Sequence, residues 1–165
     1  MKTDVGRSTG GRRSAACAVG ALAGTVALAV PACAGAQSSP PQPSAPLVVD
    51  FRDVAWGPPG TTPRFPAGVQ TVQLGVDPDS GGPTYLARFP AGSRFDLHWH
   101  THDEYVVVMS GNVTLVLGDE THALGQGDYV VIPGSMNHSW DVPTGEPGII
   151  LVRRAGPADF NFVDP

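Results

Sequence analysis

Eight residues near the middle of the chain, HWHTHDEY at positions 98–105, contain three histidines and two acidic residues. Imidazole nitrogens and carboxylate oxygens are common ligands of first-row transition metals. On an extended strand alternate side chains share a face, so His98, His100, His102 and Glu104 would all point the same way. At about 3.3 Å per residue, however, His98 and Glu104 would lie roughly 20 Å apart. Because metal–ligand bonds are only about 2 Å long, a flat strand cannot hold one ion with all four residues.

The chain around this segment has the pattern of short strands. From residue 47 onward, runs of β-branched and aromatic residues alternate with Gly, Pro and Asp, and no stretch keeps a helical period over three turns. The predicted strands are 69–74, 84–89, 95–100, 105–110, 112–117, 128–132, 137–142 and 148–153. Strands that recur about every ten residues favour an all-β sandwich or barrel over a parallel α/β sheet.

These strands predict how the histidines and the glutamate could meet. If segments 95–100 and 105–110 are neighbouring strands, residues 101–103 form the bend between them. Glu104 then returns beside His98 and His100, and three ligands converge. His102 would lie at the apex of the bend, where strand alternation no longer predicts its direction.

Two spaced sets of residues resemble the two motifs of the cupin superfamily. The first set is Gly92, His98, His100, Glu104 and Gly111, and the second is Gly127, Pro133 and His138. Ser135 stands where the second motif usually has glycine, and Val142 where asparagine is frequent. The resemblance covers roughly residues 65–155 and is to small, secreted, single-domain cupins. It implies one cupin domain over 47–165, a double-stranded β-helix or jelly-roll barrel.

The resemblance also implies a metal site formed by His98, His100, Glu104 and His138. Three neutral imidazoles and one carboxylate suit Fe, Mn, Ni, Cu or Zn as a divalent ion, and do not suit Ca or Mg. Four ligands around an ion that prefers six leave positions open for water, dioxygen or a chelating substrate. One carboxylate against a divalent ion leaves a positive charge, which favours a small anionic ligand or substrate.

Three further side chains are candidates for catalytic roles. Arg88, on the strand before the first motif, could bind an anion, although pairing with a surface acid is about as frequent. Asp96 has the strand parity of His98 and could accept an imidazole N–H, or it could be a solvated acid at a strand end. His102 could be an acid or base at the rim of the pocket, or simply a residue of the bend.

The first 36 residues are predicted to be a signal peptide. Basic residues precede an apolar run at 15–30, and small residues follow. Two processing routes are open: cleavage after Ala36, or a lipoprotein signal that ends before Cys33 and gives the chain a lipid anchor. The pair Arg12 and Arg13 makes twin-arginine export an alternative to the general secretory route. We therefore expect an exported protein that is periplasmic, in the cell envelope or extracellular, with a Pro/Ser-rich linker at 37–46.

Composition narrows the classes of partner. The apolar run is too short and too rich in Ala and Gly for a membrane span, so we expect no transmembrane helix in the mature chain. Residues 37–165 contain fourteen acidic residues against six arginines, a formal charge of −8, which excludes the basic footprint of a nucleic-acid-binding protein. Both cysteines, Cys17 and Cys33, lie in the first 36 residues, so the domain has no disulfide. By analogy with other cupins, a homodimer is expected.

Two functions are favoured by these residues. The first is a metal-dependent enzyme that acts on a small molecule, most plausibly an oxidoreductase such as a dioxygenase, with isomerase and decarboxylase as other reactions of the same scaffold. The alternative is a non-catalytic cupin that binds a metal or a ligand, as a sensor or scavenger of the cell envelope. The fold alone does not separate them.

Overall fold

The computed structural model describes residues 46–164, which form ten β-strands and one short 3-10 helix, Phe51–Asp53. The strands are β1 (Gln70–Val76), β2 (Pro83–Phe89), β3 (Arg94–Trp99), β4 (Glu104–Ser110), β5 (Asn112–Leu117), β6 (Glu120–Gly125), β7 (Tyr129–Ile132), β8 (His138–Asp141), β9 (Gly148–Arg154) and β10 (Asn161–Phe162). The predicted signal peptide, 1–36, and residues 37–45 of the predicted linker lie outside the described residues. No helix within 46–164 is long and apolar enough to cross a membrane.

The strands form two antiparallel sheets of five. One sheet has the order β1-β2-β9-β4-β7 and the other β10-β3-β8-β5-β6. Successive strands often lie in different sheets, so the chain crosses repeatedly from one sheet to the other. The prediction of an all-β jelly roll is confirmed.

Apolar side chains from both sheets fill the space between them. The strands alternate buried and less buried residues, as expected when one face is packed on a core. Val106 on β4, Leu115 on β5 and Ile132 on β7 are at most 1% exposed. Full burial of a side chain of this size contributes about 1.5–3 kcal/mol. The two sheets therefore shield the interior from solvent. Polar groups in the interior need hydrogen-bond or metal partners within it.

Most predicted strand bounds agree with the structure to within two residues, but two strands were not predicted. β6, with the sequence ETHALG, lacks a buried apolar face, and β10 has only two residues. A polar edge strand and a two-residue strand carry too little periodicity to be distinguished from loops.

The prediction that the third and fourth strands are neighbours is wrong. β3 pairs with β8 and β10, whereas β4 pairs with β7 and β9 in the other sheet. Residues 101–103 therefore cross between the sheets instead of closing a hairpin. The two ends of HWHTHDEY still meet, because they face each other across the interior of the jelly roll.

Candidate metal centre

Four buried polar residues meet where the two sheets face each other. His98 lies on β3 and His100 just after it, while His138 begins β8 and is the register partner of His98. Glu104 begins β4 on the opposite sheet. Their exposed fractions are 0%, 3%, 0% and 4% in the order His98, His100, His138 and Glu104. The structure thus brings together the four residues that the motifs single out.

Backbone carbonyls fix the orientation of each imidazole. Nδ1 of His98 lies 2.6 Å from the carbonyl oxygen of Asp96, Nδ1 of His100 2.6 Å from that of Asp159, and Nδ1 of His138 3.0 Å from that of Met136. Because a carbonyl oxygen can only accept, each Nδ1 must carry the proton. Each Nε2 then presents a lone pair, which is the form of histidine that binds a metal.

The candidate ligand atoms lie close together but form no hydrogen bonds with one another. The ring nitrogens of the three histidines lie within 4.8 Å of one another. Oε2 of Glu104 is 3.1 Å from Nε2 of His100 and 3.6 Å from Nε2 of His138. Despite these short distances, all three Nε2 atoms and this Oε2 are buried without a hydrogen-bond partner among the described residues.

The donor set fits a divalent ion. Two ligands that are each about 2.1 Å from one ion lie roughly 3–3.6 Å apart, which matches the two distances from Glu104 Oε2. Buried lone pairs that lie this close together are unfavourable without a cation among them. The cluster of His98, His100 and His138 is consistent with a bound metal ion.

The electrostatics keep the set in its metal-binding protonation state. Burial and the neighbouring His138 together lower the pKa of His98 to about 3, against the opposing hydrogen bond to the Asp96 carbonyl. Burial alone would raise the pKa of Glu104. A proton on Nε2 of His100 or His138 would be donated to this carboxylate, and together with the positive charge of Arg154 such hydrogen bonds hold its pKa well below its usual range. At neutral pH His98 is therefore neutral and Glu104 is a carboxylate.

Sequence reasoning missed a buried arginine beside this set. Arg154 ends β9, directly opposite Glu104 in the register with β4, and is 1% exposed. Its Nη2 lies 3.8 Å from Oε1 of Glu104, and its guanidinium stacks 5.2 Å from the centre of the Phe160 ring. A signal was present, since Arg154, one residue beyond the predicted strand 148–153, continues the inward parity of Ile150 and Val152.

The C-terminal segment also contributes, and the sequence did not predict it. β10 pairs with β3 so that Phe162 lies opposite His98. Asp159 accepts hydrogen bonds at its carboxylate from the backbone and hydroxyl of Thr101, at 3.0 Å and 2.6 Å, while its carbonyl holds His100. The hydrogen bonds from Thr101 and Asn161 outweigh desolvation and lower the pKa of Asp159 to about 2. Asp159 therefore ties the end of HWHTHDEY to the C-terminal segment.

Of the two interpretations of Asp96, the structure agrees with the solvated acid and not with a carboxylate that faces the histidines. A register shift between Phe95 and His98 breaks the alternation of β3 and turns Phe95 inward with His98. The Asp96 carboxylate instead lies 3.5 Å from Nε of Arg64 and is 44% exposed. It is the backbone carbonyl of Asp96 that accepts the imidazole N–H.

The other two catalytic candidates lie away from the ligand atoms. Arg88 alternates along β2 with Ala87 and Phe89, which line the interior, so it belongs to the outer face of that sheet. His102 is exposed in the bend, and its ring packs so closely on Gly156 that a Cβ there would come within 2.4 Å of it. Neither side chain is brought to the cluster.

A small, largely apolar cavity adjoins the cluster. Its volume is about 60 Å³, with His98 and Glu104 in its wall. Its other lining residues come from both sheets and flanking loops: Phe65, Val69, Thr71, Tyr85, Ala87, Phe89, Phe95, Trp140, Ile150 and Phe160. Burial raises the pKa of Tyr85 to about 12, so its hydroxyl remains a neutral donor. The arrangement places a compact, dry space next to the ligand atoms.

Comparison with known protein families finds a similarity over part of the chain. A family model described as "Cupin domain" matches residues 85–152, which include all four clustered residues. A curated relative, an uncharacterised protein of Sinorhizobium fredii, is 35% identical over 78 residues, 46% of this chain. The matched part spans only about a third, 34%, of that relative's length.

Solved structures have the same fold at low identity. A conserved-barrel cupin from Rhodopseudomonas palustris is 24% identical with a TM-score of 0.58, over 68% of this chain and 79% of that one. The polyketide cyclase RemF of Streptomyces resistomycificus is 19% identical with a TM-score of 0.57, over 73% and 87% of the two chains. KdgF from Halomonas sp. is 20% identical with a TM-score of 0.54, over 67% and 94%. The solved structures therefore share the fold of this chain, and the family model matches its part from residue 85 to residue 152.

Proposed function

We propose that this protein is an exported, metal-dependent cupin enzyme that acts on a small anionic molecule. One observation carries the metal-binding part. The ring nitrogens of His98, His100 and His138 lie within 4.8 Å of one another, Oε2 of Glu104 lies beside two of these rings, and all three Nε2 atoms and this Oε2 are buried without hydrogen-bond partners in the described part of the chain. A divalent Fe, Mn, Ni, Cu or Zn ion would satisfy all four at once. When bound, such an ion would supply Lewis acidity and open coordination positions.

The residues around the ligands support chemistry on a small molecule. Carbonyl groups hold the three imidazoles in one tautomer, so the ligands are preorganised. The apolar cavity beside His98 and Glu104 excludes bulk water and could hold the organic part of a substrate. Oxidoreductase chemistry of the dioxygenase type remains our preferred reaction, with isomerase and decarboxylase as the other two. The cyclase among the solved structures illustrates that the fold hosts further reactions.

The second function, a metal- or ligand-binding protein without catalysis, has an observation in its favour. None of the three proposed catalytic side chains, Arg88, Asp96 and His102, is aimed at the cluster. A sensor or scavenger needs only the ligands and the cavity. The two functions differ in whether a bound small molecule leaves the protein chemically changed.

Elemental analysis of the purified protein tests metal binding. We expect about one transition-metal ion per chain, lost in His138→Ala and Glu104→Ala and kept in the control His102→Ala. Metal retained by the first two variants would contradict the ligand assignment. Incubation of the metal-loaded protein with small carboxylic acids under air, followed by mass spectrometry, then separates the functions: new products support an enzyme, and bound but unchanged ligand supports the binding protein.

Export, lipidation and assembly are also part of the proposal. The signal peptide at 1–36 and the lipid anchor at Cys33 rest on sequence alone, as does a homodimer by family analogy. Fractionation of cells that produce the full chain, with Cys33→Ser as the control, tests the first two, and size-exclusion chromatography with light scattering tests the third. Normal export after replacement of Arg12 and Arg13 by lysine would remove the twin-arginine route.

A further inference from the structure

Arg154 is a buried cation of which two nitrogens form no hydrogen bond with the described residues. It is 1% exposed, and its Nε and Nη2 atoms have no hydrogen-bond partner within 46–164. The Glu104 carboxylate, 3.8 Å away, is too distant for a hydrogen bond. A guanidinium held in the interior with two unused nitrogens is costly unless another group satisfies it.

The charges of the interior indicate the sign of that missing group. The guanidinium of Arg154 and the carboxylate of Glu104 lie 3.8 Å apart, and their opposite formal charges cancel. A divalent ion among the histidines and Glu104 would leave a local charge of about +2 in a poorly solvated space. An anion that contacts both the ion and Arg154 would reduce this charge, and a carboxylate matches the planar fork of a guanidinium.

The cavity sets the size and character of the rest of the molecule. Arg154 is not itself a lining residue, but it contacts two residues of the cavity wall, Glu104 and Phe160, so its guanidinium lies beside the cavity on that side. The remaining wall is mostly aromatic and aliphatic. Since one water needs about 10–15 Å³, a volume of about 60 Å³ has room for roughly four non-hydrogen atoms.

We propose that Arg154 is the anion-binding residue of this site and that the ligand is a small carboxylic acid with a compact apolar group. The carboxylate would lie between Arg154 and the metal ligands, and the apolar group would fill the cavity beside Phe95 and Phe160. This inference rests on the proposed metal site, and it assigns to Arg154 the role that the sequence offered to Arg88.

Calorimetric titration of the metal-loaded full chain tests this proposal with butyrate, butyramide and acetate as probes. Butyrate is expected to bind at least tenfold more tightly than butyramide, which lacks the charge. It should also bind about tenfold more tightly than acetate, because acetate lacks two methylene groups that the cavity would bury. Equal affinity for butyrate and butyramide would overturn the proposal.

Substitution of Arg154 tests whether this residue binds the carboxylate. Arg154→Met should weaken butyrate at least tenfold and leave butyramide unchanged, while the control Arg153→Met, at an exposed neighbour, should leave both unchanged. Unaltered butyrate binding in Arg154→Met would refute the assignment. Arg154→Lys is used if Arg154→Met loses its metal or does not fold. This variant keeps the positive charge, so it should still bind butyrate more tightly than butyramide. If it retains the metal but no longer distinguishes the two compounds, the role of the charge is refuted.

Metal content measured on the same samples separates the two proposals. A wild-type protein without metal overturns the proposed function, whatever the titration gives. A wild-type protein with metal that does not distinguish the acid from its amide overturns only the role of Arg154.

Discussion

Nε2 of His100 and Oε2 of Glu104 face each other as two hydrogen-bond acceptors. Nε2 of His100 lies 3.1 Å from Oε2 of Glu104, yet the pair forms no hydrogen bond, and Nδ1 of the same ring donates to the carbonyl of Asp159. If Nδ1 carries the proton, Nε2 and the carboxylate both present lone pairs across this distance. The Asp159 carbonyl therefore determines that the ring faces Glu104 as a ligand and not as a donor, which explains why the backbone of a distant segment matters for the site.

Metal binding should stabilise the fold. A ligand that binds only the folded state adds about 2.7 kcal/mol at a free concentration one hundred times its Kd, and here it would also relieve the lone-pair repulsion between Glu104 and the histidines. We expect the unfolding temperature to fall on treatment with a chelator and to recover when the metal is restored. His138→Ala should show neither change, and a His138→Ala protein that still responds to metal would contradict this explanation.

Asp159 should support metal affinity without touching the metal. Its carboxylate holds the backbone and hydroxyl of Thr101, directly after His100. Loss of a group that orients a ligand typically lowers metal affinity 10- to 100-fold, and we expect Asp159→Ala to fall in this range in a competition assay with a chromophoric chelator.

The matched control for Asp159 is Asp164→Ala. Asp164 lies on the same C-terminal segment as Asp159 and forms an exposed ion pair with Arg64. Its removal should matter little, because surface ion pairs contribute little to stability. Equal losses of metal affinity in both variants would show that the segment merely needs to be docked and would exclude a specific role of Asp159.

The all-β fold was predictable because strand alternation is a local pattern. The four clustered residues were predictable because the residues from Gly92 to His138 resemble the two cupin motifs. The pairing of the strands was not predictable, because it depends on tertiary geometry. The sequence therefore did not show that β3 and β4 lie in different sheets. Asp96 was assigned to the wrong face because a bulge between Phe95 and His98 shifts the parity, and nothing in RFDLHW marks that bulge.

Arg154 and Asp159 were missed for a different reason. Each lies some fifty or more residues from the ligands that it contacts, so no motif spacing connects them to the site. The inward parity of Arg154 was available in the strand IILVRR, but a charged residue at a strand end is ordinarily assigned to solvent. The two residues become visible only when pairing of β9 with β4 and docking of the C-terminal segment are known.

The metal-free protein should lose stability as the pH falls from 7 to 5. The pKa of folded His98 is lowered to about 3, whereas an unfolded histidine titrates near 6.5. Below pH 6.5 the unfolded state therefore binds more protons than the folded state, and the free energy of unfolding falls with decreasing pH. His98 contributes a slope of up to about 1.4 kcal/mol per pH unit until the pH approaches 3.

Below about pH 4.5 Glu104 acts in the same direction. Its folded pKa is lowered, so the unfolded chain again binds the additional proton. Denaturant unfolding of the chelator-treated protein at several pH values measures both effects. His98→Phe should flatten the slope between pH 7 and 5, and the exposed His122 provides a control, since His122→Phe should leave it unchanged. A pH-independent free energy of unfolding in this range would contradict the buried neutral state of His98.

Ser135→Gly should stabilise the protein by about 0.5–1 kcal/mol. Ser135 has a φ of 64°, in the left-handed region, where an L-residue is strained by roughly 1–2 kcal/mol. Glycine relieves this strain, and its greater entropy in the unfolded chain cancels part of the gain. The backbone N–H of residue 135, which donates to the carbonyl of His100 at 2.7 Å, is kept by either residue.

Ser135→Ala is the matched control for this substitution. It removes the exposed hydroxyl but keeps the Cβ, so the strain remains and no stabilisation is expected. Thermal unfolding of both variants beside the wild-type protein measures the difference. A gain shared by Ser135→Ala would assign the effect to the hydroxyl group, and a loss in Ser135→Gly would indicate that the turn after Pro133 depends on the serine side chain itself.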